Sequence, residues 1–173
     1  MIQLVFAHCG TAFGSHDGMP WPHISQDFKN FKKWTTNTKL VMGAKTFMSL
    51  PGLLPDRDHI VACNFSRTAP KTKDGSKAYR YANIDHIYDR LEEWSKDELE
   101  TYSIIGGAEL LKIALPYANI VYESQLVLKP TKEITQHLSK DFLIACQTFG
   151  MIQDINFWNI SPGIQLVETI RSL

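Results

Sequence analysis

Two short apolar runs in this chain stop at glycine and pass at once into helix-compatible sequence: Val41-Met42-Gly43-Ala44-Lys45-Thr46 and Ile104-Ile105-Gly106-Gly107-Ala108. A strand that hands over to a helix through glycine is the joint of a βα unit, and repeated units of this kind build a parallel sheet covered by helices. The rest of the pattern agrees. Residues 2–7, 39–42, 59–63, 102–105 and 120–128 are apolar runs of strand length, and a further strand is expected near residues 79–81. Helices are predicted from Ser25 as an N-cap to about residue 35, from Ala44 to before Pro51, along the spacing Ile84, Ile87, Tyr88, Leu91, Trp94, and over 108–115 up to Pro116. Residues 156–160 and 165–170, around Ser161-Pro162-Gly163, predict an antiparallel hairpin. The expected fold is α/β: a three-layer domain with a mostly parallel central sheet and a C-terminal antiparallel hairpin. No linker or repeat divides the 173 residues, so one domain spanning 1–173 is expected.

Charge and cysteine usage exclude several classes of function. Lys plus Arg equals 18 and Asp plus Glu equals 18, so there is no chain-wide field to hold nucleic acid or an anionic membrane. Cys9, Cys63 and Cys146 are odd in number and far apart, which predicts reduced thiols in a cytoplasmic protein rather than a disulfide framework or a zinc site. The N-terminal run lacks the basic start and long apolar stretch of a signal peptide, and no apolar window reaches membrane-spanning length. The histidines are scattered with no H-E-x-x-H, and no G-x-S-x-G occurs, so neither a metal site nor a serine nucleophile is expected.

One acid stands out. Ile24, Phe28, Phe31 and Trp34 have the spacing of a buried helical stripe, and Asp27 falls on it with no Lys or Arg three or four residues away. A carboxylate in the first turn of a helix is favoured by the helix dipole. On an apolar stripe it also suits a ligand with two parallel N–H donors. Both readings stand on spacing alone. The two strand-glycine-helix joints are equally double-edged. Glycine there can simply make the turn, or it can bring backbone N–H groups up to a phosphorylated dinucleotide.

Taken together and in order, GSHDGMPW (residues 14–21), Asp27 with Phe31-Lys32, VMGAKTF (residues 41–47), Leu54-Pro55 with Arg57, and IIGGA (residues 104–108) resemble dihydrofolate reductase. The match covers residues 1–128 well and the remainder weakly. MGAKTFMSLPGLLPDR and IIGGAELLKIALPYA are similar to the enzymes of T-even bacteriophages. The resemblance implies hydride transfer from NADPH to C6 of 7,8-dihydrofolate with protonation at N5, giving tetrahydrofolate for one-carbon, thymidylate and nucleotide biosynthesis.

The resemblance also implies roles. Asp27 would accept hydrogen bonds from the pterin N3 and 2-amino group, with Trp21 and Ser124 steadying it and a water. Val5 and Ile105 would offer carbonyls to the ring. Phe28, Phe31, Leu50 and Leu54 would wall the pterin and benzoyl groups, and Arg57 would pair with the glutamate α-carboxylate. Ala7, Gly14, Ser15, Gly18 and Met19 would cover the nicotinamide and ribose, with residues 14–19 as a lid. Ala44, Lys45, Thr46, Cys63, Asn64, Arg67, Gly106, Gly107, Ala108 and Glu109 would complete the cofactor site, and the Gly106-Gly107 bond would be cis. The sequence departs from the family in three places. Ala44 stands where many relatives carry an arginine for the 2′-phosphate, so Lys45 or Arg67 would have to supply that charge. Leu111 stands where many carry tyrosine, and one extra residue lies between Trp21 and Asp27. Two other functions fit this fold: a ribosylaminopyrimidine reductase of flavin synthesis, and a virion or assembly protein that keeps the fold. The pairing of Asp27 with Phe31, together with Arg57, argues against the first. Intact Asp27, Trp21 and Arg57 argue against the second. Thymidylate synthase or a virion would be a sensible partner, but no motif marks either, and none marks an oligomeric state.

Overall fold

The computed structural model describes residues 1–173. In chain order the elements are β1 (Ile2–His8), β2 (Ala12–Gly14), α1 (Ser25–Thr35), β3 (Lys39–Gly43), α2 (Ala44–Ser49), β4 (Asp58–Cys63) and β5 (Arg80–Asn83). There follow a 3₁₀ turn (Ile84–His86), α3 (Ile87–Lys96), β6 (Tyr102–Gly106), α4 (Ala108–Ala114), a second 3₁₀ turn (Leu115–Tyr117) and β7 (Ile120–Val127). The chain ends with β8 (Gln136–His137), α5 (Lys140–Gln147), β9 (Met151–Ser161) and β10 (Ile164–Ser172). The eight-stranded sheet has the order β5-β4-β3-β6-β1-β7-β10-β9, and β2 pairs separately with β8. This is the expected α/β fold with its antiparallel C-terminal hairpin. No helix is long and apolar enough to cross a membrane.

The elements depart from expectation where local pattern is ambiguous. Ser25 is the first helical residue rather than an outside cap, and Phe28 N–H donates to the Ile24 carbonyl at 3.2 Å. Tyr88, 57% exposed, leaves the stripe that Ile87, Leu91 and Trp94 bury. The strand expected near residues 79–81 lies at Arg80–Asn83. The expected hairpin is longer at both ends. The β2–β8 pair and α5 had no counterpart in the reading. Yet α5 carries an ordinary start signal, because the Ser139 side chain accepts the Phe142 N–H at 3.1 Å.

The chain divides into two compact units. Met1–Gln3 with Thr35–Ala118 form the first, and Leu4–Trp34 with Asn119–Leu173 form the second. The first contains the parallel pairings β5–β4, β4–β3 and β3–β6. β3 and β4 are continuous apolar runs because they are buried on both faces. The Trp94 ring stacks on Tyr102 at 5.1 Å, and the Met1 ammonium donates to the Asp97 and Glu100 carbonyls.

In the second unit, strand alternation sorts side chains onto two faces. One face carries Ala7 of β1, Leu126 of β7 and Leu166 of β10, packed with Trp21 and Ile24. Ser124 and Glu168, directly opposite in the β7–β10 register, share that face's parity. The other face holds a buried charged chain. His8 Nε2 lies 2.9 Å from Glu123 Oε1, His8 Nδ1 lies 2.7 Å from the Gly10 carbonyl, and Arg171 Nη1 donates to Glu123 Oε2 at 3.0 Å. Phe142 of α5 packs on Phe6 over this face. Burial chiefly, with Glu123 adding to it and Arg171 opposing it, pushes the Cys146 thiol up to about 12. All three cysteines are free thiols.

Candidate active site

Each unit carries one concentration of the residues singled out above. In the second unit it centres on α1. The buried face of this helix runs through Ile24, Asp27 and Asn30, at 4%, 6% and 6% exposure. Phe28 does not belong to that face. It is 41% exposed and stacks on His23 with ring centroids 4.2 Å apart. Phe31 and Trp34 are half-buried. An exposed phenylalanine beside a buried acid fits a ligand wall better than a core stripe.

The Asp27 carboxyl titrates at about 6, above its ordinary 3.8. Burial is the main cause, since it penalises the charged form. A hydrogen bond from Ser124 works against burial, and the Glu168 carboxylate adds to the rise. The charge acting on Asp27 is therefore a second acid, not a neutralising base. At pH 7 the carboxylate is still mostly ionised, so it can accept N–H groups.

Two buried donors nearby in sequence have no partner: Trp21 Nε1 and Asn30 Nδ2. Asn30 Oδ1 is satisfied by Gln26 Nε2 at 2.9 Å. Trp21 is 3% exposed and packs with Ile24, Leu126 and Leu166. Buried N–H groups left unmet are costly, so such donors mark places for water or ligand.

Ala7 and Met19 pack against the same apolar cluster as Trp21, and Val5 is buried in β1. Residues 14–19 form a braced turn. Gly14 pairs with Gln136 and its carbonyl accepts Thr135 N–H at 2.9 Å. Ser15 N–H and Oγ both donate to the Gly18 carbonyl, at 2.6 and 3.2 Å. Gly18 holds φ +124°, which suits only glycine.

In the first unit the strand ends gather. Gly43 stands opposite Ala62 of β4, one residue before Cys63, and Met42 opposite Gly106 of β6. A Cβ on Gly43 would lie 3.7 Å from the Gly107 nitrogen, so the two glycine joints are in backbone contact. The Gly106-Gly107 bond is cis, as the resemblance implied. Neither Gly43 nor Gly107 caps its helix with a side chain, so the first N–H groups of α2 and α4 have no side-chain acceptor. Ala44, Thr46, Ile105 and Ala108 are half-buried around these joints, while Lys45 and Glu109 are exposed. Past β4, the Asn64 carbonyl accepts Arg67 N–H at 3.1 Å and Asn64 Oδ1 holds Ser66, which turns the chain and exposes Arg67. Leu111, where many relatives carry tyrosine, is fully buried.

Arg57 lies on another part of the same unit. Its Nε donates to the Pro55 carbonyl at 2.8 Å and its Nη1 to Thr35 Oγ1 at 3.0 Å. These contacts fix the plane of the guanidinium and leave its outer edge for a carboxylate. Leu50 and Leu54 are half-buried on the same unit.

His59 was not singled out from the sequence. Its Nε2 accepts Leu54 N–H at 3.1 Å, so Nδ1 carries the proton and donates to the Arg57 carbonyl at 3.1 Å. Burial lowers its basicity and favours this neutral form. The ring clips together the segment that carries Leu54 and Arg57. Glu168 was missed as well, although it is 3% exposed and bonded to Trp34 Nε1 at 2.9 Å.

Comparison with known proteins shows the family. A family model described as dihydrofolate reductase matches residues 1–140. The chain is 32% identical over 128 residues to dihydrofolate reductase type 9 of Escherichia coli, covering 73% of this chain and 70% of that protein. It is also 32% identical over 127 residues to dihydrofolate reductase of Bacillus subtilis, covering 73% and 69%. A solved structure of dihydrofolate reductase from Enterococcus faecalis, complexed with NADP(H) and RAB-propyl, superposes with a TM-score of 0.74 at 19% identity, over 99% of this chain and 96% of that one. The chain belongs to the dihydrofolate reductase family.

Proposed function

We propose that this chain reduces 7,8-dihydrofolate to 5,6,7,8-tetrahydrofolate with NADPH, in the cytoplasm, in support of one-carbon and thymidylate metabolism. The observation that carries the reading is the buried Asp27 carboxylate, which a second acid rather than a base attends. A flat ring offering two parallel N–H donors is the ligand such a group best accommodates. On this reading the carboxylate grips pterin N3 and the 2-amino group and draws electron density toward the protonated ring. The unmet Trp21 Nε1 holds the water that passes a proton to N5, and Ser124 keeps the carboxylate oriented. The carbonyls of Val5 and Ile105 take the ring's remaining polar edge. Exposed Phe28 and half-buried Phe31 wall the pterin and benzoyl groups together with Leu50 and Leu54, and Arg57 takes the glutamate α-carboxylate.

The residues also fit NADPH. When bound, the cofactor supplies the hydride. Ala7, Gly14, Ser15, Gly18 and Met19 cover its nicotinamide and ribose and keep water out. The contact between the glycine joints and the uncapped N–H groups suits a pyrophosphate beside Lys45 and Thr46. Ala108 and Glu109 begin the second helix there, and Cys63 and Asn64 set the turn that presents Arg67. With alanine at position 44, Lys45 or Arg67 would supply the charge that meets the 2′-phosphate. The two long segments similar to T-even bacteriophage enzymes support the assignment to that type.

The test is an absorbance assay with NADPH, dihydrofolate and the purified chain. Loss of absorbance that needs both substrates and stops with a diaminopyrimidine supports the reading, and a flat trace with folded protein overturns it. A second test concerns His59. His59→Leu leaves Leu54 N–H without its acceptor, at a cost of about 1–3 kcal/mol. It also loosens the segment that aims Arg57. Urea unfolding at a lower midpoint, with a several-fold rise in KM for dihydrofolate and a smaller change in kcat, is expected. An unmoved KM removes the brace from the binding argument.

A further inference from the structure

Of the two buried acids with no part in the proposed function, Glu123 is paired with His8 and Arg171, while Glu168 has no ion-pair partner. Glu168 is 3% exposed and receives a hydrogen bond from Trp34 Nε1 at 2.9 Å. It stands directly opposite Ser124 in the antiparallel β7–β10 pair. Directly opposite residues place their side chains on one face, with Cβ atoms about 4.5–5.5 Å apart. Ser124 is the group that hydrogen-bonds Asp27. The chain of neighbours is thus Asp27, Ser124, Glu168, Trp34, and it returns to α1, which carries both Asp27 and Trp34.

We propose that Glu168 is the second carboxylate of the Asp27 site, a positioning residue whose buried negative charge, anchored by Trp34 beside Ser124, opposes ionisation of Asp27 on top of the effect of burial. The inference rests on the reading of Asp27 as the ring-binding acid. A buried carboxylate is costly unless bonded, and one hydrogen bond from a neutral indole compensates it only in part. Its position therefore has a consequence for whatever charge lies nearby. Two acids in one low-dielectric pocket resist being ionised together.

No cation is salt-bridged to this carboxylate. From β7, Tyr122 stacks on Trp34 with ring centroids 4.2 Å apart. Its hydroxyl is pushed up by burial first and by Glu168 second. From β9, the residue opposite Glu168 is the neutral Asn156, whose amide is engaged by Asp154. From α1, the Lys33 ammonium lies 4.1 Å from the centroid of the Trp34 ring and forms no salt bridge with the carboxylate. Glu123, His8 and Arg171 have the opposite strand parity and pair among themselves. The rise at Asp27 includes Glu168 as the one charged contributor.

The test is the titration of Asp27 by carboxyl ¹³C NMR in the ligand-free full chain, alongside the pH profile of dihydrofolate turnover. Glu168→Gln and Glu168→Leu both remove the charge, and either folded variant suffices. The Asp27 midpoint is expected to fall by roughly half to one pH unit, and the turnover profile to move the same way. Glu168→Asp, which keeps a carboxylate, is expected to restore most of the wild-type midpoint. An Asp27 midpoint that stays put in a folded, charge-free variant overturns the proposal, as does an equal shift in Glu168→Asp. If the midpoint moves and the turnover profile does not, Glu168 still tunes Asp27, and the reading of Asp27 as the ring-binding acid is what fails.

Discussion

Replacing Asp27 by asparagine leaves the fold standing and removes most turnover at pH 7. Asparagine has nearly the same shape, so Phe28, Phe31 and the Trp21 cluster keep their places. What disappears is the acceptor pair and its charge. An amide offers one acceptor and presents N–H groups where the ring's own N–H groups point. The ring is then neither gripped nor polarised toward protonation, and turnover at pH 7 falls on the order of 10²–10⁴-fold. Part of the loss returns as pH falls, because free acid protonates the substrate before it binds. The measurement is the rate of NADPH absorbance loss from pH 5 to 8 in both proteins, with cofactor affinity measured separately. Normal turnover of Asp27→Asn at pH 7 removes the acid from the chemistry.

The same substitution changes stability in the opposite sense. Asp27 titrates at about 6 when folded and near 3.8 when unfolded. Between those values the folded chain holds a proton that the unfolded chain has lost. Stability therefore falls as pH rises from about 4 to about 6 and stays lowered above that. The penalty corresponds to about 3 kcal/mol. Asparagine never ionises, so the variant gains up to that amount at pH 7 and nothing at pH 4. An enzyme more stable without its acid is what a site organised for ligand rather than for folding produces.

How far the sequence foretold this arrangement can be traced residue by residue. The glycine joints after β3 and β6 were legible because a strand-to-helix handover has few other geometries. Asp27 was legible as buried because its neighbours repeat at helical spacing. The same spacing misassigned Phe28, since residues 27 and 28 both lie about one turn from Ile24 and Phe31, and only packing decides between them. The place of Glu168 was hidden for a different reason. In β10 it shares the face of Leu166 and Ile170, so alternation marks it as inward-facing; what stayed hidden was its neighbour Ser124 across the strands, which only cross-strand register supplies. His59 was hidden because its role is two backbone contacts within one loop. The two-residue β8 carries no periodicity at all. Arg57, by contrast, gained its meaning from family resemblance. No local pattern distinguishes it from a surface arginine.

That arginine carries the second large effect. Arg57→Leu raises KM for dihydrofolate on the order of 10²-fold, because two charge-assisted hydrogen bonds to a half-exposed carboxylate are lost together. The guanidinium is already held in plane by Pro55 and Thr35, so little ordering entropy opposes its bonds to ligand in the native enzyme. Arg57 stays charged even though burial lowers its basicity, with Asp56 opposing that loss. Leucine keeps apolar contact with the loop but offers the glutamate tail nothing. A pterin lacking the glutamate makes no use of the fork, so its KM is expected to stay near the wild-type value in the same variant. Arg57→Lys separates charge from geometry: it keeps the cation but loses the two parallel donors, and should fall between wild type and leucine. Steady-state kinetics with both substrates across the three proteins decides the matter. If Arg57→Leu weakens the two substrates equally, the residue holds up the loop rather than the tail.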